Sequence, residues 1–170
     1  MSATKQLFAF PNPVNETAAR VVAGGVVALS TLTLVTRWWL LLIVLALGFI
    51  ARVASGPRFS PLGLLATKVV APRLPSRLVP GPPKRFAQAI GATVTTLAAV
   101  LHFGFGADGA VVVLLGLMVV FATLESVFAL CVGCKIFGLL MRVGIIPDSV
   151  CRECNDLWRR EVRSSTPASA

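Results

Sequence analysis

Charged side chains are scarce in this 170-residue sequence. They make up 14% of it, whereas a soluble domain carries about 25%. The deficit excludes an ordinary water-facing globule, because a core of this size cannot hide so many Val, Leu and Ala side chains. Acidic residues are the rarest charges, seven against 16 basic ones, for a formal net charge of +9. Tyrosine is absent and histidine occurs once. With no RNA-binding motif and no tyrosine, nucleic acid is a poor reading of the basic excess. There is no internal repeat. No cleavable signal peptide is expected either, since the first apolar run starts late, near Val21, and another follows almost at once.

What is present is apolar. Hydrophobic residues make up 56% of the chain and the mean hydropathy is +0.83. Lipid is therefore the expected solvent for much of the surface. From Thr17 to Ala54 the chain is almost continuously apolar. As one helix this run would measure about 57 Å, nearly twice the ~30 Å hydrocarbon core. It must fold back, and Thr36-Arg37 before Trp38-Trp39 suits an interfacial turn. The reading is an all-α polytopic membrane protein with four transmembrane helices, at about 17–35, 38–54, 86–105 and 110–131. Asn15 is the expected cap of the first. Prolines break the segment 55–85, where Ser60-Pro61 starts a short interfacial helix at about 61–71. A second interfacial helix is expected at about 149–163, with Trp158 on its apolar stripe. Residues 1–163 form a single membrane domain, followed by a disordered tail at 164–170.

Basic residues set the orientation. Arg52, Arg58, Lys68, Arg73, Arg77, Lys84 and Arg85 lie in one loop, and Lys135, Arg142, Arg152, Arg159, Arg160 and Arg163 follow the last span. The opposite turns carry only Arg37. The positive-inside rule places both termini and the proline-rich loop in the cytoplasm, as expected for a multi-pass protein of a plasma (inner) membrane.

The most specific chemical signal is Cys131-x-x-Cys134 followed by Cys151-x-x-Cys154. In a reducing compartment these are not expected to be structural disulfides. Two CxxC pairs at this separation match a four-thiolate zinc site. Closing such a site requires the last helix to double back along the end of the fourth. The same cysteines also suit thiol exchange or sulfur transfer. On a fourth helix that runs past Cys131, the first pair sits near a helix C-terminus, where the dipole disfavours thiolate and Lys135 opposes that effect. The second pair follows Asp148-Ser149 in the first turns of a new helix, where the dipole and Arg152 favour thiolate. Cys151 is then the expected most reactive thiol. Packing of small apolar side chains is the plainest alternative.

Glu125 is the only acidic residue inside an expected span. A carboxylate there costs at least about 2–3 kcal/mol unless paired or protonated. Arg85 or Gln88 is the expected partner in an interhelical clamp, and a proton acceptor for the thiols is the alternative. On a continuous helix Cys134 would point away from Glu125. His102 falls at the far end of the third span, as an interfacial residue in a belt with Trp38, Trp39, Phe103 and Phe105.

Several strings together resemble a known family. They are Arg-Val-Ala-Ser-Gly-Pro-Arg-Phe-Ser-Pro from Arg52 to Pro61, Gly-Pro-Pro-Lys-Arg-Phe-Ala-Gln from Gly81 to Gln88, and Cys131-Val132-Gly133-Cys134 with Gly138-Leu139-Leu140-Met141-Arg142. Ile146-Pro147 and Cys151-x-x-Cys154 fit as well. The chain resembles domain-of-unknown-function family 4395 over roughly residues 12–156. The resemblance implies a small bacterial membrane protein of several helices, in the company of thioredoxin-like and sulfurtransferase proteins. It brings no established activity. The leading expectation is a membrane accessory for thiol–disulfide exchange or sulfur transfer at the cytoplasmic face. Cys131, Cys134, Cys151 and Cys154 would carry it, without a cofactor, tuned by Lys135, Arg152 and Glu125. The alternative is a non-enzymatic scaffold in which the same four cysteines hold zinc. The motifs alone do not decide between enzyme and scaffold.

Overall fold

The computed structural model describes residues 10–75, 77–151 and 154. Among the described residues the chain is all-α apart from one ribbon of two two-residue strands. In order it runs β1 (Val14–Asn15), α1 (Glu16–Thr36), α2 (Leu40–Ser55), α3 (Pro61–Leu64), β2 (Leu78–Val79), α4 (Gly81–Phe105), α5 (Asp108–Phe128) and α6 (Val132–Arg142). A wider π turn, Leu65–Val70, and a tight 3₁₀ turn, Ala71–Arg73, prolong α3. A further 3₁₀ turn covers Asp148–Val150.

Local chemistry explains the helix ends. Asn15 Oδ1 accepts from the N–H groups of Thr17 at 2.9 Å and Ala18 at 3.4 Å, satisfying two donors that α1 leaves open. The turn between α1 and α2 has no glycine, and Arg37 itself takes the left-handed conformation, φ 54°. Its guanidinium lies 5.7 Å from the centre of the Trp39 ring. Between α4 and α5, Gly106 supplies φ 62°. α4 begins at Gly81, ahead of the expected start at Phe86. Pro82 and Pro83 are tolerated in its first turn, because the N–H groups they lack would have no helical partner there. Lys84 and Arg85 consequently belong to the helix and not to the loop before it.

The ribbon pairs Val14 with Val79 and Asn15 with Leu78, antiparallel. Asn12 Oδ1 accepts from Gly81 N–H at 2.8 Å, so α1 and α4 start at the same end of the molecule. At the other end, Trp39 before α2 stacks on His102 near the end of α4, ring centres 4.6 Å apart. α2 therefore returns the chain along α4. Its 16 residues make about 24 Å of helix.

The core lies between these helices, with Val26 from α1, Leu42, Leu45 and Phe49 from α2, Ala98 from α4, and Val111, Leu115 and Met118 from α5. Small residues bring the backbones close. Thr33 and Thr95 are fully buried, and each returns its hydroxyl to a carbonyl of its own helix, at 2.7 and 2.8 Å. The outer faces are apolar as well. Val44, Leu47, Val100, Val113 and Val120 are each more than half exposed, and surface of that kind needs lipid around it. α1, α4 and α5 are long and apolar enough to cross a membrane, and α2 is shorter. The chain is a membrane protein.

The Phe49 ring occupies the place where a Cβ on Gly91 would sit, so α2 and α4 meet at that glycine. Gly116 on α5 faces open space. Gly91→Ala should destabilise the bundle by roughly 1–3 kcal/mol, while Gly116→Ala should not. Unfolding in detergent micelles measures both, and equal shifts would contradict this packing.

Candidate functional site

α5 does not run on to Cys131. It stops at Phe128, where Ala129 turns left-handed with φ 56°. Such a conformation costs a residue with a Cβ about 1–2 kcal/mol. Two sets of bonds offset it. The N–H groups of Ala129 and Leu130 both donate to Leu124 O. Arg20 on α1 donates to the carbonyls of Ser126 at 3.0 Å and Val127 at 2.9 Å, placing a cation at the negative end of α5.

The chain restarts at once as α6, with Cys131 as its N-cap. Cys131 Sγ accepts from the N–H of Cys134 at 3.3 Å. Two contacts lay α6 across the start of α4. Gly133, between the cysteines, sits against Ala87 so closely that a Cβ there would lie 2.7 Å from the Ala87 Cβ. Phe137 is buried against Phe86, ring centres 5.6 Å apart. The continuous fourth helix to Cys131 is thus corrected, and so is the dipole argument built on it. The Cys131/Cys134 pair occupies a helix N-terminus, which favours negative charge on sulfur. Cys151 follows the end of the short 148–150 turn and Cys154 is helical, so what falls is the contrast with a first pair at a helix C-terminus on which the ranking of Cys151 rested.

Each CxxC pair is closed on itself, Cys131 with Cys134 and Cys151 with Cys154. The two pairs are brought together. Cys151 and Cys154 pack on Phe137, and Cys131, Cys134 and Cys154 border one cavity of about 400 Å³ with Lys84, Lys135 and Leu130. Cys131, Cys151 and Cys154 are buried. Cys134 is half-buried and Lys135 exposed. Cys134 is therefore the most exposed of the four cysteines. Among the described residues, no three His, Cys, Asp or Glu side chains are arranged to hold a metal ion. Arg152, Trp158 and nearly all of the helix expected at 149–163 lie outside the described residues.

Glu125 forms an interhelical clamp, with Lys84 and not with Arg85 or Gln88. Lys84 Nζ lies 2.7 Å from Glu125 Oε1, both side chains largely buried. The early start of α4 is the reason, since it turns Lys84 inward. Arg85 donates to Val53 O at 3.0 Å, and Gln88 accepts from Arg52 at 2.9 Å. A second cavity, of about 180 Å³, is bordered by Glu125 and Cys131 together. The helix break thus brings Cys131 to the cavity that Glu125 borders, while Cys134 borders only the outer one. His102 stands at the opposite end, 2.7 Å from Asp108 Oδ1.

Lys84, Arg20 and Gly133 escaped the sequence reading. A lysine beside a proline pair reads as a loop cation, and Arg20 near the start of an apolar run reads as an interfacial charge. Lys84→Ala leaves Glu125 buried without its partner and should cost about 3–5 kcal/mol, whereas Lys84→Met with Glu125→Leu should recover most of it. Detergent unfolding of both variants measures this. A double variant no more stable than Lys84→Ala would show that the ion pair is not the cause.

No curated protein and no solved structure matches the chain. A family model described as "Domain of unknown function (DUF4395)" matches residues 14–142. That span takes in the whole helical bundle and Cys131-x-x-Cys134, and it ends before Cys151-x-x-Cys154. The matched span covers most of the chain, which therefore belongs to the DUF4395 family.

Proposed function

We propose that this protein is a membrane thiol–disulfide exchanger. The observation that carries the reading is a CxxC pair at a helix N-terminus, with the sulfur of Cys131 held by the Cys134 N–H. In exchange, a partner thiolate attacks Cys134 Sγ. The Cys131–Cys134 bond breaks and Cys131 leaves as thiolate, stabilised by the N–H of Cys134 and the end of α6. The partner's second thiol then displaces Cys134. The partner becomes the disulfide, and the pair takes up two electrons and two protons. The reverse sequence oxidises the pair. Cys151/Cys154, beside the same cavity, is the second couple in a relay. Exchange is favoured over carriage of sulfur because each pair closes on itself.

In this reading α2 is a fourth crossing, since it covers the same distance as the neighbouring part of α4. The start of α1 and all four cysteines lie at the end rich in Lys and Arg, which this reading assigns to the cytoplasmic side of the inner membrane, with both termini on that side. Disulfides in that compartment are transient and catalytic, as an exchanger requires. The partner is a soluble dithiol protein of thioredoxin-like or sulfurtransferase type.

Removing the leaving sulfur should trap the intermediate. Cys131→Ser, offered an oxidised small-molecule disulfide, should accumulate a mixed disulfide at Cys134 at least about tenfold over Cys134→Ser. Intact mass after acid quenching reads it out. Equal trapping in the two variants would remove Cys134 as the point of attack.

The shared cavity supports a second reading, in which both pairs open on reduction and hold zinc as four thiolates. Zinc and free thiols counted together on the reduced protein separate the two. The exchanger should be metal-free with reversible dithiols. One zinc per chain with unreactive sulfurs would establish the scaffold instead.

A further inference from the structure

Cys131 stands in a wall between two cavities. On one side is the mouth that it shares with Cys134, Glu16, Lys84 and Lys135. On the other is the cavity of about 180 Å³ between α1, α4, α5 and α6. This inner cavity is apolar except for Gln88 and Glu125. Leu117 and Phe121, which also border it, are nearly half exposed on the outer face of the bundle, so it opens toward lipid and not toward water. An apolar cavity of about 150 Å³ suffices for a benzene-sized ring.

We infer that the inner cavity binds a lipid-soluble quinone, the two-electron acceptor for the Cys131/Cys134 dithiol. The inference rests on the exchange reading and adds its terminal oxidant. Three features select a quinone over a plain acyl chain. The cavity is of ring size and reached from lipid. Gln88 spends its amide oxygen on Arg52, and its amide N–H groups have no protein acceptor among the described residues, leaving them to donate to a ring carbonyl. Glu125 keeps one carboxylate oxygen beyond the Lys84 bond, able to pass a proton to the other end of the reaction.

The step balances. Cys131 thiolate adds to a ring carbon of the quinone, forming a carbon–sulfur bond and moving an electron pair onto a ring oxygen. Cys134 sulfur then attacks Cys131 Sγ. The sulfur–sulfur bond forms, the carbon–sulfur bond breaks, and the ring leaves with two electrons. The two protons given up by the thiols, relayed through Glu125, complete the hydroquinone. One dithiol and one quinone become one disulfide and one hydroquinone.

The test uses full-length protein in lipid nanodiscs, reduced, freed of reductant, kept anaerobic and mixed with decylubiquinone, whose substituted ring resists permanent arylation. Absorbance follows the hydroquinone and mass spectrometry the thiols. One hydroquinone should form per Cys131/Cys134 pair closed. Ala122→Phe and Ala19→Leu both fill the inner cavity. Each should slow quinone reduction by about 100-fold, since displacing the ring by an ångström is enough for that. Reduction of the pair by dithiothreitol through the outer mouth should stay unchanged. A quinone inert toward a pair that still cycles with dithiothreitol, as when an acyl chain fills the cavity, would overturn the inference and leave the exchange reading standing. Unchanged quinone rates in both variants would do the same. A pair that fails to cycle with dithiothreitol would remove the exchange reading, and this inference with it.

Discussion

Ala129-Leu130-Cys131 is the stretch in which the chain must leave one helix and start another. Ala129 takes a left-handed backbone that a residue with a Cβ adopts only under compulsion. The compulsion comes from both sides. Arg20 and the doubled bond to Leu124 O close the end of α5. Gly133 and Phe137 fix α6 across the first turns of α4. Without this corner the cysteines would ride the outside of a long helix. With it, Cys131 becomes a helix cap and the wall between two cavities.

The same corner connects the chemistry to the bundle. α6 rests on the part of α4 that carries Lys84, and Lys84 reaches α5 at Glu125. Arg52 adds a second buried cation, bonded to Gln88 and to Ser60 and lying over the Phe49 ring. This end of the molecule is therefore built from satisfied charges and amides between apolar helices. Such groups are expensive in lipid when left alone, so each cation and its partner must be placed together. The polar layer ties α2, α4 and α5 into one unit under the cysteines, while the opposite end is closed by aromatic stacking around His102.

A dithiol placed here meets two solvents. Cys134 faces the mouth, which Glu16, Lys84 and Lys135 also border. Cys131 backs onto an apolar space continuous with lipid. The division follows from where the two cavities lie, since Cys131 borders both and Cys134 only the outer one.

Much of the architecture was legible in the residues. The apolar run from Thr17 to Ala54 exceeds what one crossing needs, so a hairpin follows from length alone. Asn15, Gly106 and the proline-rich segment act through their own backbone preferences, which depend on near neighbours only. The closing of each CxxC into a disulfide was not among these expectations, although the spacing that permits it is local. The corner at Ala129 was not legible, because alanine is the best helix former and nothing in its neighbourhood signals a stop. What forces it is Arg20 and Ala87, distant in sequence. The partner of Glu125 was misread for the same kind of reason. Helical spacing placed Arg85 and Gln88 near it, but the choice of Lys84 depends on where α4 begins and how it rotates against α5. Sequence alone determined that the chain needs lipid and that its sulfurs come in pairs, since composition and spacing fix both. Only the tertiary structure decided which way those sulfurs face, because a helix end is set by the contacts that hold it there.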